Sequence, residues 1–365
     1  MSSTKTVSPL LHPHTDANGT VGSIALRAST VPLKRNHTLD KHDHFEVTPS
    51  IGEEFSGVQL SDLVHAENKD ELLRDLAILV SQRGVVFFRK QDIDVEDQKI
   101  LGQKLGELSG KPSESTLHIH PTTESTSPKG DQVTIISSER RAEYYRRDES
   151  RLASRQWHSD ITFEPVPSDY AILKVHTNPP SGGDTLWASA YEAYSRLSPE
   201  FARFLEGLEA YHEAGFFNEA AKAYGIDLRT GERGSPLNKG EHLSAVHPVI
   251  RVNPVSGWKG LFVNKEFTRR ILGVSRDESD FILDYLNRII ANNHDLQVRF
   301  KWSVNNAPGI GDVAIWDNRS TFHSASYDYG KSLRTGDRVV SIGEKPYFDP
   351  SATTRREALG LDPWH

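Results

Sequence analysis

The sequence predicts a mainly β protein with helical insertions, built as a double-sheet jelly roll. Short stretches of strand character, separated by Gly, Pro and Asn turns, dominate the middle and the C-terminal third of the chain. Helical spacing of apolar residues is confined to the early part and to insertions, and no internal repeat is present. Two facing sheets can bring residues from distant strands together, so a site can be assembled from widely separated positions.

The composition, with 36% hydrophobic and 25% charged residues, indicates a soluble globular protein. No segment approaches the ~18 apolar residues of a membrane helix, and the polar N-terminus is unlike a secretory signal, so a cytoplasmic location is expected. The absence of Cys excludes disulfides and thiolate ligands. A net charge of −7 without a long basic run argues against nucleic acid or a membrane surface as a partner. A homo-oligomer is compatible with the sequence.

The chain divides into an irregular N-terminal extension (1–44), an ordered domain (45–350) and a C-terminal tail (351–365). Strands are predicted at residues 45–49, 57–60, 85–88, 117–121, 132–137, 157–160, 170–175, 185–187, 245–252, 260–263, 297–304, 312–316 and 338–343. Helices are predicted at residues 70–81, 95–105, 190–197, 200–208 and 277–291. Residues 213–245, rich in Gly, Asn and charge, are predicted to be an insertion that covers a site.

His158 and Asp160 form the pattern on which the predicted site depends. Side chains two apart on a strand point to the same face, so this imidazole and this carboxylate would lie side by side. His323 is the best candidate for a third ligand. Two His and one carboxylate, with the remaining positions open, form the facial triad of non-haem Fe(II) oxygenases. A zinc hydrolase is disfavoured because no additional general base lies beside the triad.

Two further segments are ambiguous on their pattern. His118 and His120 would share a face of a strand, where they could bind metal or substrate, or could simply form hydrogen bonds to backbone or water. Residues 139–155 carry many Arg residues, which is compatible with an anion-attracting lid but is more typical of a solvated helix or loop.

Several sequence blocks, in a consistent order and spacing, carry a resemblance to a known family. These blocks are LHIHP (117–121), WHSD (157–160), GGDTLW (182–187), LFVN (261–264) and WDNR (316–319). With them the chain resembles the taurine dioxygenase (TauD/TfdA-like) family of Fe(II)- and 2-oxoglutarate-dependent dioxygenases, which fold as a double-stranded β-helix. The likeness covers roughly residues 47–348 and is closest to the sulfonate-oxidising members.

The resemblance implies roles for the matching residues. His158, Asp160 and His323 would hold Fe(II), to which 2-oxoglutarate and O₂ bind as cosubstrates. Arg334 would bind the distal carboxylate of 2-oxoglutarate with help from the Thr185 hydroxyl. The residues implied in substrate binding are Arg338 and His120 at the acidic group, with Phe267 and Ile161 in the pocket.

The chain departs from the taurine-specific members at positions that would contact the substrate amine. Ser154 stands where those members have Asn, and Thr123 stands where they have Tyr. The insertion at 213–243 also differs in length. Taurine itself is therefore not the expected substrate.

The leading interpretation is a dioxygenase that hydroxylates a small anionic molecule, foremost a sulfonate, and releases succinate and CO₂. Arg338 and His120 could hold a carboxylate equally well, so an amino acid or an aryloxyacetate is the alternative substrate. A non-catalytic metal- or ligand-binding jelly roll is the third interpretation. It is disfavoured because a simple binder does not need the pair formed by Thr185 and Arg334.

Overall fold

The computed structural model of the chain describes residues 31–123, 127–139, 152–304 and 307–362, together with a short strand pair near the N-terminus, β1 (His14–Thr15) and β2 (Val21–Gly22). The other strands are β3 (His44–Glu46), β4 (Glu53–Phe55), β5 (Val85–Gln91), β6 (Val133–Ser137), β7 (Ser168–Thr177), β8 (Thr185–Ser189), β9 (Glu209–Glu213), β10 (Ser244–Pro248), β11 (Ile250–Val252), β12 (Lys259–Leu261), β13 (Thr268–Ile271), β14 (Gln297–Phe300), β15 (Gly311–Asp317), β16 (Thr321–Ala325) and β17 (Thr335–Ile342). The helices are α1 (Leu60–His65), α2 (Lys69–Arg83), α3 (Val95–Leu108), α4 (Ala190–Ser195), α5 (Pro199–Glu206), α6 (Gly215–Tyr224), α7 (Arg276–Asn292) and α8 (Arg355–Leu359).

The largest sheet has the strand order β3-β4-β5-β15-β7-β17-β6, and only the β4–β5 pair in it is parallel. Its central strands are buried on both faces, which explains their continuous apolar sequence. Along β5, Val86 and Phe88 face the core beneath α2 and α3, whereas Val85 and Phe87 face the opposite core. The two faces alternate residue by residue because side chains in a strand alternate.

A smaller sheet, β14-β8-β16, packs on the inner face of the large sheet. The core between them is aromatic. Phe87 stacks on Phe300 with ring centroids 4.1 Å apart, and Trp187 contacts Phe87 and Trp316 at 5.4 and 5.7 Å. These two facing sheets form the predicted jelly roll, and β16 within the smaller one carries His323.

The remaining strands and helices extend this framework. A third sheet, β10-β9-β13, and the hairpin β11–β12 lie beside the helices α4, α5 and α7, and together they bury an aliphatic core. The predicted insertion begins with helix α6, after which residues 225–243 contain no helix or strand. None of the helices described here is both long and apolar enough to cross a membrane.

Residues 31–43, the described end of the predicted extension, contain no helix or strand but are attached to α2. The carboxylate of Asp75, itself 1% exposed, accepts hydrogen bonds from the backbone N–H groups of Asn36 (2.7 Å) and Thr38 (3.0 Å). The side chain of Leu39 is buried in the core around α2. This segment therefore packs as part of the domain.

Most of the predicted elements are confirmed with shifts of a few residues, and Gly84 ends α2 as expected. Gly84 has φ +76°, and a Cβ there would lie 2.9 Å from Thr321 Cγ2, so glycine is required at this junction. The strand predicted at 57–60 is wrong. Leu60 instead begins α1, because Leu60, Leu63 and Val64 bury on one helical face.

Two other predicted strands, at 117–121 and 157–160, are also wrong as extended elements. Each makes only a single bridge, Leu117 with Ser341 and His158 with His323. The predicted strand at 245–252 is divided into β10 and β11, which belong to different sheets. The elements that the sequence did not predict are β1, β2, β4, β9, β13, β16, α1, α6 and α8.

Candidate active site

His158 and His323 are placed side by side by a backbone bridge. The N–H of His158 donates to the carbonyl oxygen of His323 at 3.1 Å, and the N–H of His323 donates to that of His158 at 2.7 Å. Residues paired in this way project their side chains to the same face. The two imidazole rings lie with centroids 4.2 Å apart, so the bridge brings together ligands remote in sequence.

Asp160 reaches the same place through a turn and not through strand alternation. Its backbone N–H donates to Asn318 Oδ1 (3.0 Å), and the next residue, Ile161, has φ +65°. Asp160 Oδ1 lies 3.8 Å from His158 Nε2 and 3.8 Å from His323 Nε2. The three ligand atoms lie within 4.8 Å of one another, and among the residues described here no other group of His, Asp or Glu was found with metal-binding spacing.

The protonation states of these groups suit a divalent cation. His158 Nδ1 lies 2.7 Å from the carbonyl oxygen of Gln156, which fixes the proton on Nδ1 and leaves the Nε2 lone pair for a metal. Burial, and then the nearby His158, lower the pKa of His323 to about 3. Burial alone would raise the pKa of Asp160, but Arg338, His323 and His158 together lower it to about 2. The buried Asp160 Oδ2 has no hydrogen-bond partner in the described structure, so it is free to accept a further ligand.

A second cluster, formed by Arg334, Thr185 and Trp302, lies beside the smaller sheet. Arg334 Nε donates to the carbonyl oxygen of Gly183 (2.8 Å), and its Nη2 donates to Thr185 Oγ1 (3.3 Å). The indole N–H of Trp302 also donates to Thr185 Oγ1 (3.0 Å). With two donors directed at its oxygen, the Thr185 hydroxyl proton is available to a further acceptor.

The Arg334 side chain is only 3% exposed, and no carboxylate in the described parts of the chain lies within 4.0 Å of its guanidinium. Burial lowers its pKa, yet an arginine remains charged in proteins. Gly183 makes room for it, because a Cβ at that position would lie 2.9 Å from Arg334 Cδ. An unpaired buried cation is costly, so this cluster is suited to an incoming anion.

Arg338, His120 and His118 form the polar side of the site. Arg338 Nη1 donates to Asp160 Oδ1 at 2.9 Å, and its buried Nε has no partner among the described residues. His120 receives hydrogen bonds at Nδ1 from Thr122, and burial together with Arg338 lowers the pKa of His120 to about 3. His118 is buried, and its Nε2 lacks a partner in the same parts of the chain. Neither His118 nor His120 belongs to the metal-binding group.

Four phenylalanines, here called the aromatic arc (Phe163, Phe216, Phe217 and Phe267), connect the metal ligands with His120. Phe267 lies 5.9 Å from the His158 ring and 5.1 Å from Phe163, measured between centroids. Phe163 lies 5.6 Å from Phe217, which is 4.8 Å from His120. Ile161 is buried in the same cluster. Phe267 and Ile161 were predicted near the site from the sequence, whereas Phe163, Phe216 and Phe217 were not.

The structure thus brings together the predicted metal ligands, Thr185 with Arg334, and Arg338 with His120 in neighbouring positions. Trp302 was missed, because only the pairing of β14 with β8 in the folded chain brings this residue of the predicted strand 297–304 to Thr185. The Phe-Phe pair at 216–217, at the start of the predicted insertion, was the available signal for the aromatic arc. Ser154 is exposed on a 3₁₀ turn, and Thr123 donates its N–H to the carbonyl oxygen of His120. Of the charged segment 139–155, residues 140–151 lie outside the described residues.

A buried ion pair holds the insertion against the turn that begins at Asp160. Arg233 Nε and Nη2 donate to the two carboxylate oxygens of Glu164 at 2.5 and 3.0 Å, and both side chains are at most 1% exposed. Arg233 Nη1 donates to the carbonyl oxygens of Arg229 and Gly240 within the insertion. This pair therefore connects the irregular part of the insertion to the turn that follows Asp160.

We expect Arg233→Met to lower the free energy of unfolding by about 3–5 kcal/mol, because it leaves the Glu164 carboxylate buried without its partner. Replacing both residues, as Arg233→Met with Glu164→Leu, is expected to recover most of that loss. Urea unfolding of the three proteins measures both effects. A single variant as stable as the wild type would contradict the importance assigned to this pair.

A two-sheet jelly roll that carries a His-Asp-His group, and on the neighbouring strand β8 a buried arginine site without a carboxylate partner among the described residues, is typical of one class: the oxygenases that bind a metal and a 2-oxo acid. Comparison with known proteins agrees. Residues 43–340 match the family described as "Taurine catabolism dioxygenase TauD, TfdA family". The chain is 45% identical to the Alpha-ketoglutarate-dependent dioxygenase btcD of Neocamarosporium betae, over 90% of this chain and 98% of that protein.

Two further similarities broaden the comparison. The Alpha-ketoglutarate-dependent sulfonate dioxygenase of Saccharomyces cerevisiae is 34% identical, over 83% of this chain and 68% of that protein. The crystal structure of a taurine dioxygenase from Burkholderia xenovorans superposes with a TM-score of 0.62 at 25% identity, covering 84% of this chain and 92% of that one. The chain therefore belongs to the TauD/TfdA family of alpha-ketoglutarate-dependent dioxygenases, and the predictions of fold class and enzyme class are confirmed.

Proposed function

We propose that the protein is an Fe(II)- and 2-oxoglutarate-dependent dioxygenase that hydroxylates a C–H bond of a small organic acid. One oxygen atom of O₂ enters succinate as 2-oxoglutarate loses CO₂, and the other becomes the new hydroxyl group of the product. The observation that supports this most directly is the convergence of the His158, Asp160 and His323 side chains, with the buried guanidinium of Arg334 bonded to Thr185 on β8, the strand that pairs with the His323 strand.

The donor set suits iron, which accepts imidazole and carboxylate ligands and leaves positions open for the cosubstrates. When bound, iron supplies the oxidation chemistry, and the protein supplies binding, orientation and electrostatics. In this proposal His158 and His323 contribute Nε2 and Asp160 contributes a carboxylate oxygen. The pKa values of His323 and Asp160 are low, so neither ligand has to lose a proton at neutral pH.

Arg334 and Thr185 are proposed to bind the distal carboxylate of 2-oxoglutarate. A planar guanidinium offers parallel N–H donors that match the two oxygens of a carboxylate, and the Thr185 hydroxyl can donate one more hydrogen bond. The anion would also neutralise the buried positive charge of Arg334. The indole of Trp302 holds Thr185 in place through its hydrogen bond to Oγ1.

Arg338 and His120 are proposed to bind the acidic group of the substrate. Arg338 has an unpartnered buried Nε within the described residues, and it is held beside Asp160, so an acid bound there would place its neighbouring carbon near the metal. A sulfonate is supported by the similarity to a protein named as a sulfonate dioxygenase. A carboxylate is the second candidate, because Arg338 and His120 can hold a carboxylate as well as a sulfonate.

Succinate formation by the iron-loaded protein, measured with a panel of sulfonates and carboxylates, tests the proposal. We expect turnover with at least one acid, and we expect Arg338→Gln to raise the KM for that acid about 100-fold while the KM for 2-oxoglutarate stays within a few-fold. Arg288→Gln, at a side chain 60% exposed on α7, is the matched control. Binding of iron and 2-oxoglutarate without succinate formation under any condition would favour a non-catalytic binder and refute the proposal.

A further inference from the structure

We propose that the aromatic arc makes the enzyme selective for acids whose body is neutral and apolar, in preference to acids that carry an amine. This inference rests on the proposed function, since it concerns the part of the substrate that lies between the metal and the acid-binding residues. It specifies the chemical class of that part, which the metal ligands and the arginines leave open.

The aromatic arc lies between the metal ligand His158 and His120. One end of the arc contacts the metal ligand His158 through Phe267, and the other end contacts His120 through Phe217. An acid held by Arg338 and His120, with its oxidised carbon near the metal, has to lie along these rings. The arc is therefore a wall for the substrate's carbon skeleton.

The arc is apolar and buried. Phe163 is 2% exposed, Phe267 5% and Phe217 7%, so these rings form a buried apolar layer that excludes water from this side of the site. Phe216 covers two of the rings, with centroids 4.4 Å from Phe217 and 6.1 Å from Phe267. Phenylalanine side chains offer no hydrogen-bond partner, and burying a polar group against them is unfavourable.

The charges around the arc disfavour a cation. Glu164, the buried acid next to Phe163 in the chain, is already paired with Arg233. Arg338 and Arg233 act on His120, at one end of the arc, as positive charges, and Asp160 acts there as a negative charge that is already paired with Arg338. A substrate ammonium would meet apolar rings, two arginines and the metal, because the carboxylates of Asp160 and Glu164 are already paired with those arginines. This excludes an amine more strongly than the loss of a single amine contact would.

The experiment compares acids that differ only at the end remote from the acidic group. Calorimetry with the iron- and 2-oxoglutarate-loaded protein under nitrogen measures binding of hexanoate, 6-aminohexanoate and 6-(trimethylammonio)hexanoate, and of hexanesulfonate and 6-aminohexanesulfonate. We expect the amine to weaken binding about 100-fold or more with either acidic group, and we expect a negative heat-capacity change for the apolar acids. The inference is overturned if 6-aminohexanoate and 6-aminohexanesulfonate bind as tightly as, or more tightly than, the acids without the amine. Preference for the trimethylammonium compound also overturns it, and would assign the arc as a cation-binding cage.

Variants of the arc separate recognition of the substrate body from general damage. We expect Phe217→Ala to weaken hexanoate binding about 10-fold while acetate binding changes less than about twofold, and we expect Phe217→Leu to restore most of the affinity. Phe204→Ala, at a ring 46% exposed on the surface, is the control. An equal loss for hexanoate and acetate would refute the role of the arc.

The two proposals can fail separately. The function fails if 2-oxoglutarate is never converted to succinate. The inference about the arc fails if it is converted but amine-bearing acids are preferred.

Discussion

Arg334→Gln is expected to raise the KM for 2-oxoglutarate about 100-fold or more. Arg334 is 3% exposed and lacks a carboxylate within 4.0 Å among the described residues, so its charge is not balanced until an anion arrives. Removing one partner of a buried, hydrogen-bonded charge pair costs about 2–5 kcal/mol in binding. Glutamine keeps a hydrogen-bond donor but loses the charge and the paired N–H geometry.

Steady-state succinate formation at varied 2-oxoglutarate, and equilibrium binding of 2-oxoglutarate to the metal-loaded protein, measure this effect. Arg334→Lys retains the charge without the planar fork, so it should lie between the wild type and the glutamine variant. Urea unfolding checks that the variant is folded, and it is expected to be no less stable, since an unpaired buried cation has been removed. A glutamine variant that binds 2-oxoglutarate like the wild type would show that the anion binds elsewhere.

Much of the site was predictable because its residues occur in short, distinctive blocks. The block WHSD (157–160) contains two of the candidate metal ligands. The block WDNR (316–319) contains Asn318, which contacts Asp160, and the block GGDTLW (182–187) contains Gly183, which contacts Arg334. The physical reason is local: Gly183 has to lack a side chain beside Arg334, and Asn318 has to accept the N–H of Asp160. Such requirements restrict the sequence position by position.

The path by which the metal ligands converge was not predictable in the same way. Strand alternation predicts that the His158 and Asp160 side chains share a face. Asp160 lies instead in a turn that includes the positive φ of Ile161. Strand β16, which carries His323, was missed because it is only a few residues long and its sequence, TFHSA, has no alternation of apolar and polar residues. Its pairing with β8 and with His158 is a tertiary contact that periodicity does not report.

The insertion shows the limit of composition as a guide. Gly, Asn and charge predict an insertion at 213–245, of which residues 225–243 contain no helix or strand, but composition gives no sign that Arg233 is among the most deeply buried side chains. Its partner Glu164 is distant in sequence and belongs to the turn that follows Asp160. Helix α6 likewise depends on Phe217 packing against Phe163 and His120, which only the folded chain reveals.

Asp160→Asn is expected to abolish tight iron binding and to lower the rate of succinate formation on the order of 1000-fold or more. The substitution keeps the shape of the side chain and removes its charge, so the cation loses its anionic ligand among the residues that converge here. Arg338 also loses the carboxylate to which its Nη1 donates at 2.9 Å, which leaves a positive charge beside the metal position. Both changes act against a divalent cation, and both follow from the loss of one carboxylate charge.

Metal content after dialysis, measured beside turnover, distinguishes loss of the ligand from loss of the fold. We expect Asp160→Glu to retain part of the metal, because it keeps the charge but moves the carboxylate by one methylene group. Asp284→Asn, at a side chain 63% exposed on α7, should match the wild type in both measurements. If Asp160→Asn instead bound iron stoichiometrically and kept turnover within about tenfold, the two imidazoles would suffice, and Asp160 would act as the partner of Arg338 and not as a ligand. The 3.8 Å separations from Asp160 Oδ1 to the Nε2 atoms of His158 and His323 argue for the ligand role, because an aspartate needed only for Arg338 would not have to approach both imidazoles equally.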